Sequence, residues 1–231
     1  MSRLSRVLGS SGPVAILWDM DGTLVDTEPY WVQAEHALVE EAGGQWSDEL
    51  AAQLIGSSLD VTARFIAQNS PVSLGPEEII HALMDRVIDR IRDEIPWRPG
   101  ARELLLEATA VGIPSALVTM SWTPLVDPVL EHLPDGVFTA VASGDVVAHG
   151  KPHPEPYLHA TRALDVAPGQ CLAIEDSPTG VRSSTSAGVP TLAVPHFVDI
   201  PALPGALHID SLAGVRVADL ADLHERAAAT F

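Results

Sequence analysis

Short, unbroken apolar runs recur along the chain, and helix-length stretches with apolar positions every three or four residues fill the spaces between them. The runs at 14–18, 114–118, 137–142, 171–174 and 191–194 predict strands. Segments at 101–110, 123–132 and 155–164, with another starting after Ser177-Pro178, predict the intervening helices. Strands covered on both faces lose the in–out alternation of a half-exposed strand, so this rhythm predicts a doubly wound, mostly parallel α/β sheet of Rossmann-like type. Ser177 suits an N-cap and Pro178 the first helical position, which marks one strand-to-helix turn clearly. Beyond residue 194, Pro195, Pro201 and Pro204 predict a loop, then a short strand at 207–209 and a last helix at 219–229.

The interval between the first two strands breaks the rhythm. Residues 28–95 read as helix after helix, interrupted at Gly43-Gly44, Gly56-Ser57-Ser58 and Ser70-Pro71. A single crossover needs only about a dozen residues. The expected organisation is therefore an α/β core over 1–27 and 96–231 carrying a small helical domain inserted at 28–95.

Composition adds limits. With 231 residues, 46% hydrophobic and 19% charged, the chain can bury a full core. No apolar run reaches the roughly 20 residues of a membrane span, and residues 1–12 lack the apolar centre of an export signal. Cys171, the lone cysteine, permits no internal disulfide, so a cytoplasmic protein without a membrane partner is expected. Because Cys171 opens an apolar strand, it reads as a buried thiol rather than a nucleophile. A formal charge of −18 without Lys or Arg clusters speaks against a nucleic-acid partner. No feature fixes the oligomeric state, for which a monomer is the expectation.

Ligands of doubly wound sheets lie outside the carboxyl ends of the strands. The polar residues there are Asp19 and Asp21 after the first strand, Thr119 and Ser121 after the second, Lys151 after the third, and Glu175 and Asp176 after the fourth. Four acids facing one lysine leave an excess of negative charge that a hard divalent cation with oxygen ligands would offset, and Mg2+ is the natural candidate. The residue types suit phosphoryl transfer. An aspartate can attack phosphorus, a second acid can protonate the leaving oxygen and then activate water, and a lysine with hydroxyls can hold the transferring group. Thr119 carries a competing reading as a plain strand-end hydroxyl, with Ser121 as its rival. His149, His153 and His159 are irregularly spaced beside a hard-oxygen site, and surface or supporting roles are expected of them rather than metal binding.

These residues carry a resemblance. Asp19-Met20-Asp21-Gly22-Thr23, Thr119 after an apolar strand, Lys151 in GKPHPEPY, and Glu175-Asp176-Ser177-Pro178-Thr179-Gly180 resemble, in order, the four motifs of the haloacid dehalogenase-like hydrolase superfamily. The likeness spans 14–194, and the helical insertion is similar to the cap of its subgroup of sugar-phosphate phosphatases, phosphoglycolate phosphatases and beta-phosphoglucomutases. DTEPYW from Asp26 to Trp31 and KPHPEPYL from Lys151 to Leu158 look especially like hexitol-phosphate and 2-deoxyglucose-6-phosphate phosphatases. The resemblance implies Asp19 as nucleophile and metal ligand, and Asp21 as general acid/base whose carbonyl also meets Mg2+. It implies Thr119 and Lys151 on the phosphoryl oxygens, Asp176 as a direct ligand, and Glu175 as a ligand directly or through water. A cap that closes over a small phosphorylated metabolite follows from the same likeness, with Gly22, Trp31, Gly56, Ser57, Met120 and Ser121 as substrate-contact candidates and Arg64 as a further position. Trp31 also reads as a core residue of its helix.

Departures separate the reaction types. Relatives of the mutase branch carry His where this chain has Trp31 and Arg where it has Leu59, which favours a phosphatase. A dehalogenase would lack Asp21, and a phosphonate hydrolase would need a cap lysine, yet 28–95 contains none. Glu155 stands where Asp is frequent, and Met120 where a small residue is frequent.

Overall fold

In the computed structural model, which describes residues 12–54 and 57–231, the first strand lies at the centre of the sheet. β1 (Ala15–Trp18) is flanked by β2 (Ser115–Val118) and by β4 (Cys171–Glu175). β3 (Ala140–Ala142), β5 (Thr191–Ala193) and β6 (Ala206–His208) complete the order β3-β2-β1-β4-β5-β6, and every neighbouring pair is parallel. β1, β2 and β4 are buried at every position, which explains why they read as continuous apolar runs. Chain order reverses between β1 and β4. Whatever leaves the carboxyl ends of those two strands shares the crevice where such sheets bind ligands.

One strand begins later than its apolar run. The run at 137–142 predicts β3 from residue 137, but Gly136 has φ +75° and the Val137 N–H bonds to Pro134 O, so a turn holds its first residues. The ladder starts only where the Thr139 N–H reaches Ser115 O at 2.8 Å. Val137 is buried all the same, and burial without pairing mimics a strand in sequence.

The helices follow the expected alternation. α1 (Glu28–Glu41), α2 (Asp48–Ala52), α3 (Leu59–Asn69) and α4 (Pro76–Asp93) succeed one another in the insertion; α5 (Ala101–Val111), α6 (Thr123–Glu131), α7 (Glu155–Ala163), α8 (Pro178–Ser186) and α9 (Leu220–Ala228) come later. Ser177 caps α8 by accepting from the Gly180 N–H at 3.0 Å, and Pro178 takes the first turn. Among the described residues, no helix is long and apolar enough to cross a membrane.

The chain divides into two compact units. One comprises the chain up to Asp26 with Trp97–Val126 and Leu133–Phe231; the other comprises Thr27–Pro96 with Asp127–His132, so the end of α6 groups with the insertion. In the first, Tyr157 and Ala160 of α7 pack on Ala116, Val118 and Ala142 of the sheet. The helical unit buries Leu38 and Val39 of α1 and Ile79, Leu83 and Val87 of α4. Glu35 is buried there too, accepting from the Trp46 indole N–H at 3.2 Å.

Burial pushes the Glu35 carboxyl up to about 7, with Glu28 adding to the rise and the indole bond opposing it. The fold thus favours the protonated acid, so the stability this group contributes is complete below the ordinary carboxylate range and is lost as pH rises through about 7. Glu35→Gln retains an acceptor for Trp46 and removes the ionisation. Urea denaturation should find it roughly 1–2 kcal/mol more stable than the native chain at pH 8 and nearly equal at pH 4.5.

Candidate active site

β1 stops at the wholly buried Trp18, and the Asp19 N–H adds one more link, to Ile174 O at 3.1 Å. The chain then turns tightly, with the N–H groups of Thr23, Leu24 and Val25 all directed at Met20 O. Gly22 takes φ +86° inside this turn, and a Cβ there would run into the Asp176 carboxylate. Its own N–H is taken by Val25 O at 2.7 Å, so this glycine's contribution is space for Asp176.

Lys151, the only lysine in the sequence, joins the strand ends. Its Nζ donates to Asp19 Oδ1 at 2.7 Å, to Glu175 Oε1 at 2.6 Å and to Val118 O at 2.8 Å, which uses all three of its donors. Two hydroxyls steady Glu175 further: Tyr157 donates to Oε1 at 2.7 Å and Ser177 to Oε2 at 3.3 Å. Gly180 makes room, since a Cβ at that position would overlap the Glu175 carboxylate. Thr23 donates to Asp176 Oδ1 at 3.4 Å.

Asp21 belongs to a second group of contacts beside the first. Ser121 Oγ donates to its Oδ2 at 2.7 Å and Thr119 Oγ1 at 3.5 Å, while Thr119 Oγ1 accepts from the Ser121 N–H at 3.0 Å. The two rival hydroxyls therefore act together, with Ser121 in the shorter bond. Met120 between them accepts from the Lys151 N–H through Sδ at 3.2 Å, and its Cε occupies the space a side chain at Gly150 would need. That glycine is what leaves room for the Met120 side chain. Glu155 holds the loop before α7 together, accepting from the N–H groups of Ala148 at 2.8 Å and His149 at 3.1 Å.

The charges are tightly coupled. Burial, then the neighbouring Asp19, raises Glu175, while Lys151 and Tyr157 pull it back. Burial followed by Asp19 and Glu175 pushes Asp176 to about 8. Burial works against the Lys151 charge, but the carboxylates of Asp19 and Glu175 outweigh it and raise the ammonium above its ordinary range. The Tyr157 phenol is held well up by burial and then by Glu175 and Asp19, so it stays a donor. Burial raises the Cys171 thiol to about 12, in keeping with an inert core residue.

Asp19, Glu175 and Asp176 each offer an oxygen within 4.8 Å of the others. Asp19 Oδ2 is buried and has no hydrogen-bond partner. Three buried carboxylates against one ammonium, with an oxygen lacking any donor, fit a hard divalent cation of the Mg2+ class.

The structure thus gathers Asp19, Asp21, Gly22, Thr119, Met120, Ser121, Lys151, Glu175 and Asp176 at one edge of the sheet. The other candidates belong to the helical unit. Trp31 is half-buried on α1, Ser57 is exposed just before α3, and Arg64 is engaged with Asp60 at 2.8 Å. Gly56 lies outside the described residues. Sequence reasoning missed Tyr157, Thr23 and the Val118 carbonyl. Tyr157 left a readable signal, a phenol on the buried face of α7 directly after the Lys151 loop, because a buried hydroxyl needs a partner.

A family model for haloacid dehalogenase-like hydrolase matches residues 16–194. The chain is 33% identical to protein CbbY of Cereibacter sphaeroides over 194 residues, 79% of this chain and 84% of that protein. To hexitol phosphatase B of Escherichia coli K12 it is 32% identical over 188 residues, 79% of this chain and 83% of the relative. A crystal structure of CbbY from Rhodobacter sphaeroides in complex with phosphate superposes with a TM-score of 0.77 at 32% identity, covering 90% of this chain and 99% of that one.

Lys151→Met should cost about 3–5 kcal/mol in urea denaturation of the metal-free chain, since it leaves Asp19 and Glu175 buried without a cation. Tyr157→Phe removes one donor from Glu175 and should cost about 1 kcal/mol by the same measurement.

Proposed function

The chain belongs to the haloacid dehalogenase-like hydrolases, and from that premise we propose a magnesium-dependent phosphomonoesterase that acts on a small phosphorylated sugar or polyol through an aspartyl-phosphate on Asp19. The observation that supports it most is Asp19 itself: a carboxylate at the carboxyl end of the central strand, fixed through one oxygen by Lys151 while the other has no donor. The names of the similar proteins, a hexitol phosphatase among them, support the substrate class.

In the proposed reaction a carboxylate oxygen of Asp19 attacks phosphorus, and the bond from phosphorus to the ester oxygen breaks. Asp21, entering as the neutral acid, gives its proton to the departing alkoxide. Water then yields a proton to Asp21 and attacks the phosphorus, which breaks the acyl phosphate, frees inorganic phosphate and restores both acids. Ser121 and Thr119 orient Asp21 through their bonds to Oδ2. Lys151 fixes Asp19 in place and supplies positive charge beside the transferring group. Mg2+, held by Asp19, Asp176 and Glu175, would neutralise charge on the phosphoryl oxygens. Substrate choice is assigned to the helical unit, where Trp31, Ser57 and Gly56 are the residues to vary.

A panel of phosphorylated sugars and polyols, assayed for released phosphate with and without Mg2+, tests the reading. Release should stop on chelation and return with Mg2+. Asp19→Asn should abolish release with an unchanged circular dichroism spectrum, and Asp21→Asn should lower turnover by about 10²–10⁴-fold. Isomerisation of a sugar phosphate without net release would replace this proposal with a phosphomutase.

A further inference from the structure

The loop that carries Lys151 holds a second group of potential ligands of different chemistry. His149 and His153, of which surface or supporting roles are expected, and Glu155 each bring one donor atom to within 4.8 Å of the other two. His149 Nδ1 is 2.8 Å from Glu155 Oε2, His153 Nδ1 is 3.9 Å from the same oxygen, and the two rings lie 4.7 Å apart at their centroids. We propose that these three side chains form a site for a borderline transition cation of the zinc class, separate from the carboxylate site of Asp19, Glu175 and Asp176.

Donor chemistry divides the two sites. The first offers oxygens only and suits a hard ion, whereas two imidazoles and one carboxylate are a ligand set of zinc. Bonds of about 2.0–2.2 Å to zinc put tetrahedral donor atoms roughly 3.4 Å apart. The separations of 2.8 Å and 3.9 Å bracket that spacing, so small rotations of exposed rings are enough to close the site.

The Glu155 carboxylate is set in advance, while the two rings must move. The backbone N–H groups of Ala148 and His149 each bind one carboxylate oxygen of Glu155, which orients the head, and a metal would take the place of the proton now shared between Oε2 and His149 Nδ1 at 2.8 Å. His153 Nδ1 accepts from the Glu155 N–H at 3.2 Å, a bond that gives way when the exposed ring turns its single lone pair to the metal. The His149 and His153 side chains are 66% and 52% exposed, leaving room for water on the metal and for exchange with solution. A dication there also meets the favourable field of a chain with formal charge −18. The consequence is local and specific: His149 and His153 stand on either side of Lys151, so one ion would tie together both flanks of the segment that carries it.

Calorimetric titration of the metal-stripped, tag-free full chain with Zn2+, in saturating Mg2+, tests the site. We expect uptake of one zinc, weakened by about tenfold or more in His149→Ala and in His153→Ala, since losing a ligand should exceed the loss of a group that merely supports one. Asp19→Asn should bind as the native chain does. Visible absorption of Co2+ on the native chain gives a readout independent of any variant, with bands of a nitrogen- and oxygen-ligated low-coordinate ion expected. No uptake by the native chain, equal uptake by the double variant His149→Ala/His153→Ala, or loss of uptake in Asp19→Asn would overturn the proposal. The measurement does not depend on turnover, so a chain without phosphatase activity would leave it standing.

Discussion

The Nζ of Lys151 donates simultaneously to Asp19, Glu175 and the Val118 carbonyl, and so joins the ends of β1, β2 and β4 through one buried ammonium. Without it, two carboxylates would face each other in a region closed to water, where like charges a few ångströms apart repel by several kcal/mol. With it they hold fixed positions but remain under-neutralised, because Asp176 adds a third acid and Asp19 Oδ2 has no donor. That residual charge suits the site to a cation, as the proposed reaction requires. Order in the neighbourhood also depends on this one contact. Tyr157, Ser177 and Gly180 all adjust to the Glu175 carboxylate that the ammonium secures.

Sheet topology supplies the rest of the geometry. Because the order reverses between β1 and β4, Asp19 and Glu175 are carried to adjacent strand ends without any loop having to reach for them. Missing side chains then matter as much as present ones. Gly22 and Gly180 stand where a methyl group would displace Asp176 and Glu175, and Gly150 stands where it would displace Met120. A cluster of acids packed this closely is built by removing volume around it.

Much of this was legible in the sequence, for identifiable reasons. β1, β2 and β4 are buried on both faces, so their apolar runs were unambiguous and the polar residue ending each run had to lie at the crevice. The start of β3 was not legible, because Val137 is buried by a turn rather than by pairing, and periodicity cannot tell the two apart. Thr119 and Ser121 could not be ranked, since their shared bond to Asp21 depends on how the backbone turns after β2. The pairing of His149 with His153 was hidden for a related reason. Their four-residue spacing is that of a helix face, but Gly150 and Pro152 between them argue against a helix, and only the loop held by Glu155 brings the rings together.

Lys151 is also the sole side-chain amine of the chain, whose other strongly basic residues are all arginines, and it is 4% exposed and locked to two carboxylates. Amine-directed chemistry, whether a laboratory acylating reagent or an enzyme that modifies lysine, therefore finds no easy target among the side chains. Any acylation of that position would record an excursion in which the ammonium leaves all three of its partners, which makes the residue a built-in chemical clock for opening of the Lys151 loop.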